Sequence, residues 1–213
     1  MKTHTSLKVC GLKHKNNLLD VISAGVDYVG MIFYEKSPRY MVDTLFPEDV
    51  WFLPDEVEKI GVFVHADKAY IEKYARLYQL DIIQLHGNES VDFCKQIQDL
   101  GYPVIKAFGV DDTFDFSVVE AYRHAVDFFL FDTKSNQYGG SGKSFDWNLL
   151  NQYHGDIPFF LGGGVSIDQL PDILCRPLPK LFAVDMNSRL ETEPGLKDIT
   201  LVKEAVRLIH EDG

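Results

Sequence analysis

Short runs of apolar, β-branched and aromatic residues recur along the whole chain, each followed by an amphipathic stretch of helical length. That alternation is the pattern of βα units laid on a parallel sheet. It predicts eight strands, at Leu7 to Cys10, Tyr28 to Phe33, Ile60 to His65, Ile82 to His86, Val104 to Phe108, Phe128 to Asp132, Phe159 to Gly162 and Leu181 to Met186. Helices are expected between and after them, at Asn16 to Ala24, Pro47 to Leu53, Lys68 to Leu80, Ser90 to Leu100, Phe116 to His124, Asp146 to Gln152, Ile167 to Leu174 and Asp198 to His210.

The strand starts lie roughly 20 to 30 residues apart, the size of one βα unit, so eight units use nearly all of the 213 residues. No linker, repeat or low-complexity tract marks a second domain. The expected architecture is therefore a single (β/α)8 TIM barrel over residues 1–213. An open doubly wound sheet would carry a glycine-rich turn after its first strand, whereas Cys10-Gly11-Leu12-Lys13 offers one glycine.

Composition agrees with a large buried core: 46% of residues are hydrophobic, 13% aromatic and 25% charged. Charge changes the picture more. With 21 Lys and Arg against 32 Asp and Glu, the net charge is −11, and that field argues against a nucleic-acid or anionic-membrane partner. Any phosphate must be held locally. The three cysteines, Cys10, Cys94 and Cys175, have no zinc-like spacing and suggest neither a disulfide framework nor a metal site. No apolar run approaches the ~20 residues that span a bilayer, and the first residues carry no apolar signal-type core. The expectation is a cytoplasmic protein with reduced thiols and no cofactor, a monomer rather than a dimer.

Active sites of such barrels sit at the C-terminal ends of the strands. The polar residues there are Cys10 on the first strand, Gln84 and His86 on the fourth, Asp132 on the sixth and Asp185 on the eighth, with Ser37-Pro38-Arg39 in the loop after the second. Alternation puts Lys8 beside Cys10 and Gln84 beside His86 on common strand faces. Lys8, Lys106 and Asp185 are expected to pair in one buried network, either purely structural or tuning a pKa. Gly163 and Gly164, in the triplet that begins at Gly162 after strand seven, and Asn187-Ser188 after strand eight are candidates to hold a phosphate through backbone N–H groups.

A set of strings in chain order carries a family resemblance: Lys8-Val9-Cys10-Gly11, Gly25 to Gly30 with Ser37-Pro38-Arg39-Tyr40, Gly61-Val62-Phe63-Val64, Gln84-Leu85-His86-Gly87, Asp132-Thr133 followed by GGSGKSFDW at 139–147, and Asp185 with Glu191-Thr192 and Gly195 to Asp198. From Lys8 to Asp198 the sequence resembles phosphoribosylanthranilate isomerase of tryptophan biosynthesis. The resemblance implies an Amadori rearrangement of N-(5'-phosphoribosyl)anthranilate by acid–base catalysis. It implies Asp132 as the acid and Cys10 as the base, Arg39 as the partner of the anthranilate carboxylate, and Gln84, His86 and Asp185 as further substrate contacts. A phosphorylated small molecule is the implied partner.

The chemistry sets demands on both groups. A carboxyl of reference pKa ~3.9 needs burial or substrate anions to stay protonated, and a thiol of ~8.5 needs a cation such as Lys8 to ionise. One departure stands out: after strand eight the family reads Asp-x-Ser-Ser-Gly-Val-Glu, and this chain has Arg189 where the glycine falls. Either Arg189 strains the phosphate loop, or it adds a charge to the phosphate, or it points outward while the backbone does the work. Another barrel of the pathway, indole-3-glycerol-phosphate synthase, would want a lysine acid, a glutamate partner and a longer N-terminal segment. A barrel turned ligand-binding protein would have little use for Cys10, Asp132 and Arg39 together.

Overall fold

A computed structural model describes residues 5–133 and 145–211, so the glycine-rich segment Gly139-Gly140-Ser141-Gly142 lies outside the described residues. Eight parallel strands close into a barrel in sequence order: β1 (Ser6–Cys10), β2 (Tyr28–Ile32), β3 (Glu58–Phe63), β4 (Ile82–Leu85), β5 (Val104–Val110), β6 (Phe128–Thr133), β7 (Phe159–Leu161) and β8 (Leu181–Met186). β1 pairs with both β2 and β8, which closes the ring.

Period-2 alternation sorts the strand residues into two layers. Ile60, Ile82, Ile105, Ala107, Leu130, Phe160 and Ala183 pack together inside the barrel. Their neighbours Val29, Phe63, Ile83, Leu85, Phe129, Phe131, Leu161 and Val184 face outward into the larger core under the helices. At one end the lumen is filled by Tyr28, Phe128, Phe160 and Phe182, with ring centroids 4.8–6.0 Å apart. Toward the C-terminal ends of the strands the inward positions turn polar: Lys8 and Cys10, Gln84, Asp132 and Asp185.

The covering helices are α1 (Lys15–Ser23), α2 (Lys68–Leu77), α3 (Val91–Gln98), α4 (Leu170–Cys175) and α5 (Ile199–Glu211). Three segments expected to be α-helical are instead 3-10 turns, at Pro47–Asp49, Phe116–Tyr122 and Trp147–Gln152. Two of them are capped by an aspartate, as α-helices of the chain are. Asp67 and Ser90, ahead of α2 and α3, accept from backbone N–H groups three residues on, the geometry that opens an α-helix. Asp115 and Asp146 accept from residues two ahead, as does Asp198 ahead of α5. After β8 comes a feature the apolar pattern did not announce, an antiparallel hairpin of β9 (Glu191–Glu193) and β10 (Leu196–Lys197).

Candidate active site

Strand register assembles the mouth of the barrel. Lys8 and Asp185 are direct partners across β1 and β8, so both side chains enter the lumen at one level, where the Lys8 ammonium lies 2.9 Å from Asp185 Oδ2. Cys10 is the register partner of Gly30, and a Cβ at Gly30 would sit 2.6 Å from the Cys10 sulfur. The glycine makes room for the thiol.

A directed chain of polar contacts crosses the lumen. Lys8 Nζ donates to Gln84 Oε1 at 2.7 Å, and Gln84 Nε2 lies 2.7 Å from His86 Nδ1. A lysine ammonium can only donate, so it fixes the amide oxygen of Gln84 toward itself and turns the amide N–H toward the imidazole. His86 Nδ1 must then accept, which puts the ring proton on Nε2. That nitrogen faces Asp132 Oδ2 at 3.2 Å, while the other carboxylate oxygen accepts the Thr133 N–H at 2.7 Å.

Lys106 does not belong to this network, contrary to the expectation of one network with Lys8 and Asp185. Ile105 and Ala107 face the lumen, so the residue between them points outward, where Lys106 binds Glu89 at 3.0 Å and the carbonyls of Gly87 and Ala107 at 2.6 and 3.0 Å. Glu89 in turn accepts the backbone N–H groups of His65 and Gly87, tying together the segments just beyond β3 and β4. His65 sits at φ 51, a left-handed conformation that few residues other than glycine adopt.

Burial dominates the electrostatics of the lumen. It pushes the Cys10 thiol above its ordinary value of 9.0, against the pull of Lys8, so the free cleft holds a thiol rather than a thiolate. Burial also pushes the Asp185 carboxyl up while Lys8 pulls it back; burial opposes the charge on Lys8 too, but the carboxylate of Asp185 counters it and Lys8 keeps its proton. One oxygen, Asp185 Oδ1, is buried with no hydrogen-bond partner among the described residues.

On the rim, Arg39 is nearly buried and grips Glu191 with Nε, 2.9 and 3.1 Å from the two carboxylate oxygens, and with Nη2 at 2.6 Å. Lys197 Nζ binds the same carboxylate at 2.6 Å and Asn187 Oδ1 at 2.7 Å. Burial works against the charge on Glu191, but Arg39 and Lys197 hold its carboxyl below the usual range. Gly163 has φ 94, and a Cβ there would strike the Thr133 backbone and hydroxyl at 2.3–2.4 Å, so the loop after β7 packs tightly against the end of β6. Arg189 stands exposed in the turn Ser188–Leu190, and its φ is not left-handed, so the strain expected from replacing a glycine is absent.

These groups surround one cleft, open at the mouth. It is lined by Cys10, Arg39, Gln84, His86, Asp132, Gly163, Gly164, Asp185, Asn187 and Ser188, the ten residues expected from the sequence to act as acid or base or to contact the substrate or its phosphate; Lys8, Lys106 and Arg189 do not line it. Ile32, Tyr34, Val62 and Val64 also line it and form an apolar wall on the β2 and β3 side, which strand-end polarity alone could not reveal. Glu191 and Lys197 went unassigned as well; their signal was the Glu191-Thr192 and Gly195 to Asp198 strings. Among the described residues no cluster of metal-ligating side chains occurs, and no helix is long and apolar enough to cross a membrane.

A closed parallel barrel with titratable groups converging at the C-terminal ends of its strands defines a (β/α)8-barrel enzyme. Comparison with known proteins narrows the class. Residues 7–207 match the family described as N-(5'-phosphoribosyl)anthranilate (PRA) isomerase, and the chain belongs to that family. It is an isomerase of the aldose–ketose type. It is 40% identical to the N-(5'-phosphoribosyl)anthranilate isomerase of Parabacteroides distasonis, over 95% of this chain and 92% of that one. With the same enzyme of Phocaeicola vulgatus the identity is 38%, over 90% and 91%. The crystal structure of the Thermotoga maritima enzyme superposes with a TM-score of 0.84 at 33% identity, covering 97% and 99% of the two chains. A phosphoribosylanthranilate isomerase in complex with reduced 1-(o-carboxyphenylamino)-1-deoxyribulose 5-phosphate does so at 0.80 and 30% identity, with the same coverage.

Proposed function

We propose that this chain converts N-(5'-phosphoribosyl)anthranilate into 1-(o-carboxyphenylamino)-1-deoxyribulose 5-phosphate, with Asp132 as acid and Cys10 as base. The supporting observation is that a thiol from β1 and a carboxyl from β6 face one cleft whose rim carries a guanidinium. Asp132 protonates the furanose ring oxygen, and the C1–O bond breaks as the nitrogen lone pair closes onto C1, leaving an iminium. Cys10 then takes the C2 proton. The C2–H electron pair becomes the C1=C2 bond, the C=N pair returns to nitrogen, and the enolamine tautomerises to the ketone by losing its hydroxyl proton and gaining one at C1. No net oxidation occurs.

The electrostatics of the cleft order these steps. Because burial opposes its ionisation, Cys10 must first release its thiol proton to solvent at the open mouth of the cleft, and the iminium made by ring opening favours the thiolate that then accepts the C2 proton. His86 presents Nε2–H to the Asp132 carboxylate that remains once the acid has given up its proton. Gln84, almost wholly buried, acts on the reaction through His86. The unpartnered Asp185 Oδ1 accepts a sugar hydroxyl. Arg39 meets the anthranilate carboxylate, and backbone N–H groups of Gly163, Gly164, Asn187 and Ser188 hold the phosphate.

Loss of anthranilate-linked fluorescence during turnover tests this reading. Cys10→Ser and Asp132→Asn should each lower kcat by about 10² to 10⁴-fold with unchanged thermal melts, since each removes proton transfer rather than core volume. Turnover near that of the wild type in either variant removes that residue from the mechanism.

A further inference from the structure

We propose that Glu191 is a positioning residue that makes the cleft select for ligands bearing a carboxylate, by holding Arg39 along one edge and leaving the other edge to the ligand. A guanidinium offers two bidentate edges, one formed by Nε and Nη2 and one by Nη1 and Nη2. Glu191 occupies the first. No protein acceptor among the described residues takes Nη1, and Arg39 lines the cleft, so the second edge is the one a ligand meets.

Glu191 is itself fixed from behind. It is the register partner of Lys197 across the β9–β10 hairpin, whose Nζ binds it, and the Gly195 N–H donates to it at 3.0 Å. The hairpin is fastened to α1 by Asn17, which accepts the Lys197 N–H at 2.8 Å and donates to its carbonyl at 2.9 Å. The side chains of Glu191 and Lys197 are 5% and 0% exposed. Gly11 clears the path, since a Cβ there would lie 2.7 Å from both Arg39 Cδ and Asn187 Oδ1. The Glu191-Thr192 and Gly195 to Asp198 strings thus build a rigid backstop for one arginine.

Charge points the same way. Arg39 and Lys197 carry two positive charges against the single negative charge of Glu191, and the triad is nearly buried. A buried site with one cation in excess favours an anion. Glu191 cancels one charge and sets the orientation of the other, so the excess is presented as a planar fork rather than a diffuse field.

This inference rests on the reading of the ligand as an anthranilate, and the experiment separates the two. Calorimetric titration uses two probes, reduced 1-(o-carboxyphenylamino)-1-deoxyribulose 5-phosphate and its counterpart lacking the ring carboxylate. The wild type should prefer the first by about tenfold or more. Glu191→Gln should bring that preference close to one while changing affinity for the carboxylate-free probe by less than about threefold. Arg39→Lys, which keeps the charge and loses the fork, should erase the preference with Glu191 intact, and it serves should Glu191→Gln not fold. A preference retained in either variant overturns the proposal, as does equal weakening of both probes in Glu191→Gln, the mark of a purely structural role. Wild-type binding of both probes without preference overturns the role of Glu191 and leaves the isomerase reading standing; binding of neither overturns both.

Discussion

Two buried lysines, Lys8 and Lys106, each sit on a barrel strand and each bind a carboxylate at about 3 Å, yet they serve opposite ends. Lys106 points outward from β5 into a closed set of partners. Its donors meet Glu89 and backbone carbonyls, and the oxygens of Glu89 are taken up by the ammonium and by backbone N–H groups. Lys8 points inward from β1 into an open set, where Asp185 keeps one buried oxygen unpartnered and Gln84 passes the polarity on to His86 and Asp132. The same ion-pair chemistry braces strand ends on one face of the sheet and polarises the cleft on the other. Face parity, one residue of register, decides which.

The largest effect should come from breaking the closed pair. Glu89→Ala leaves a buried ammonium without its carboxylate, which costs about 3–5 kcal/mol. Urea unfolding should show this as a lower midpoint, with kcat of the folded protein within a few-fold of wild type. Pairing Glu89→Gln with Lys106→Met, which removes both charges, should recover most of the loss. The acid side carries a sign. Burial pushes the Glu89 carboxyl up, but Lys106 and the backbone donors outweigh it and hold it below the ordinary 4.5. Its contribution is therefore complete above that value and disappears as pH falls through the lower folded value, and Glu89→Gln should lack that part of the acid transition. An undiminished midpoint in Glu89→Ala would mean that the brace is idle.

What the sequence disclosed follows the same parity. The strand-end polar residues Cys10, Gln84, His86, Asp132 and Asp185 were legible because the alternation and the barrel arithmetic give both level and face, and all five line the cleft. Lys106 was misassigned because apolar flanks alone do not say which side of β5 a residue faces. Glu89 escaped because its partners are mostly backbone N–H groups, which no side-chain pattern records. The 3-10 segments were unreadable from apolar spacing alone, since a capping aspartate opens 3-10 and α segments alike. The β9–β10 hairpin is too short to show a strand period.

A smaller effect should come from the open set. Lys8→Met removes the donor that orients Gln84, so the His86 ring is free to exchange tautomers. In wild type, 15N shifts of His86 should report a protonated Nε2 and an accepting Nδ1; in Lys8→Met they should report a mixture. Turnover should fall by about tenfold, as expected for a group acting through others rather than transferring a proton itself. The Cys10 thiol supplies a second readout. Burial already holds it above 9.0, with Lys8 opposing, so the thiolate absorbance step that vanishes in Cys10→Ser should lie above pH 9 and move higher in Lys8→Met. Unchanged shifts and unchanged turnover would make this network as structural as the Lys106 pair.

The smallest effect belongs to Arg189, the place where the chain departs from its family's pattern in the loop after β8. Three outcomes were open: strain, a charge on the phosphate, or an outward side chain. The backbone there is not left-handed, which removes strain. The side chain is exposed and does not line the cleft, whereas its neighbours Asn187 and Ser188 do. A glycine is therefore not required for the turn, and the guanidinium is not among the groups that line the cleft; the turn is closed by the Leu190 N–H donating to the Asn187 carbonyl at 3.0 Å. Arg189→Gly should leave the affinity for a phosphate-bearing ligand and its salt dependence within about twofold of wild type, and lower stability by about 0.5–1 kcal/mol through added backbone freedom. A loss of affinity of tenfold or more, with a flatter dependence on salt, would show that the guanidinium reaches the phosphate after all and extend the open, ligand-facing set of charges beyond the strands to the rim.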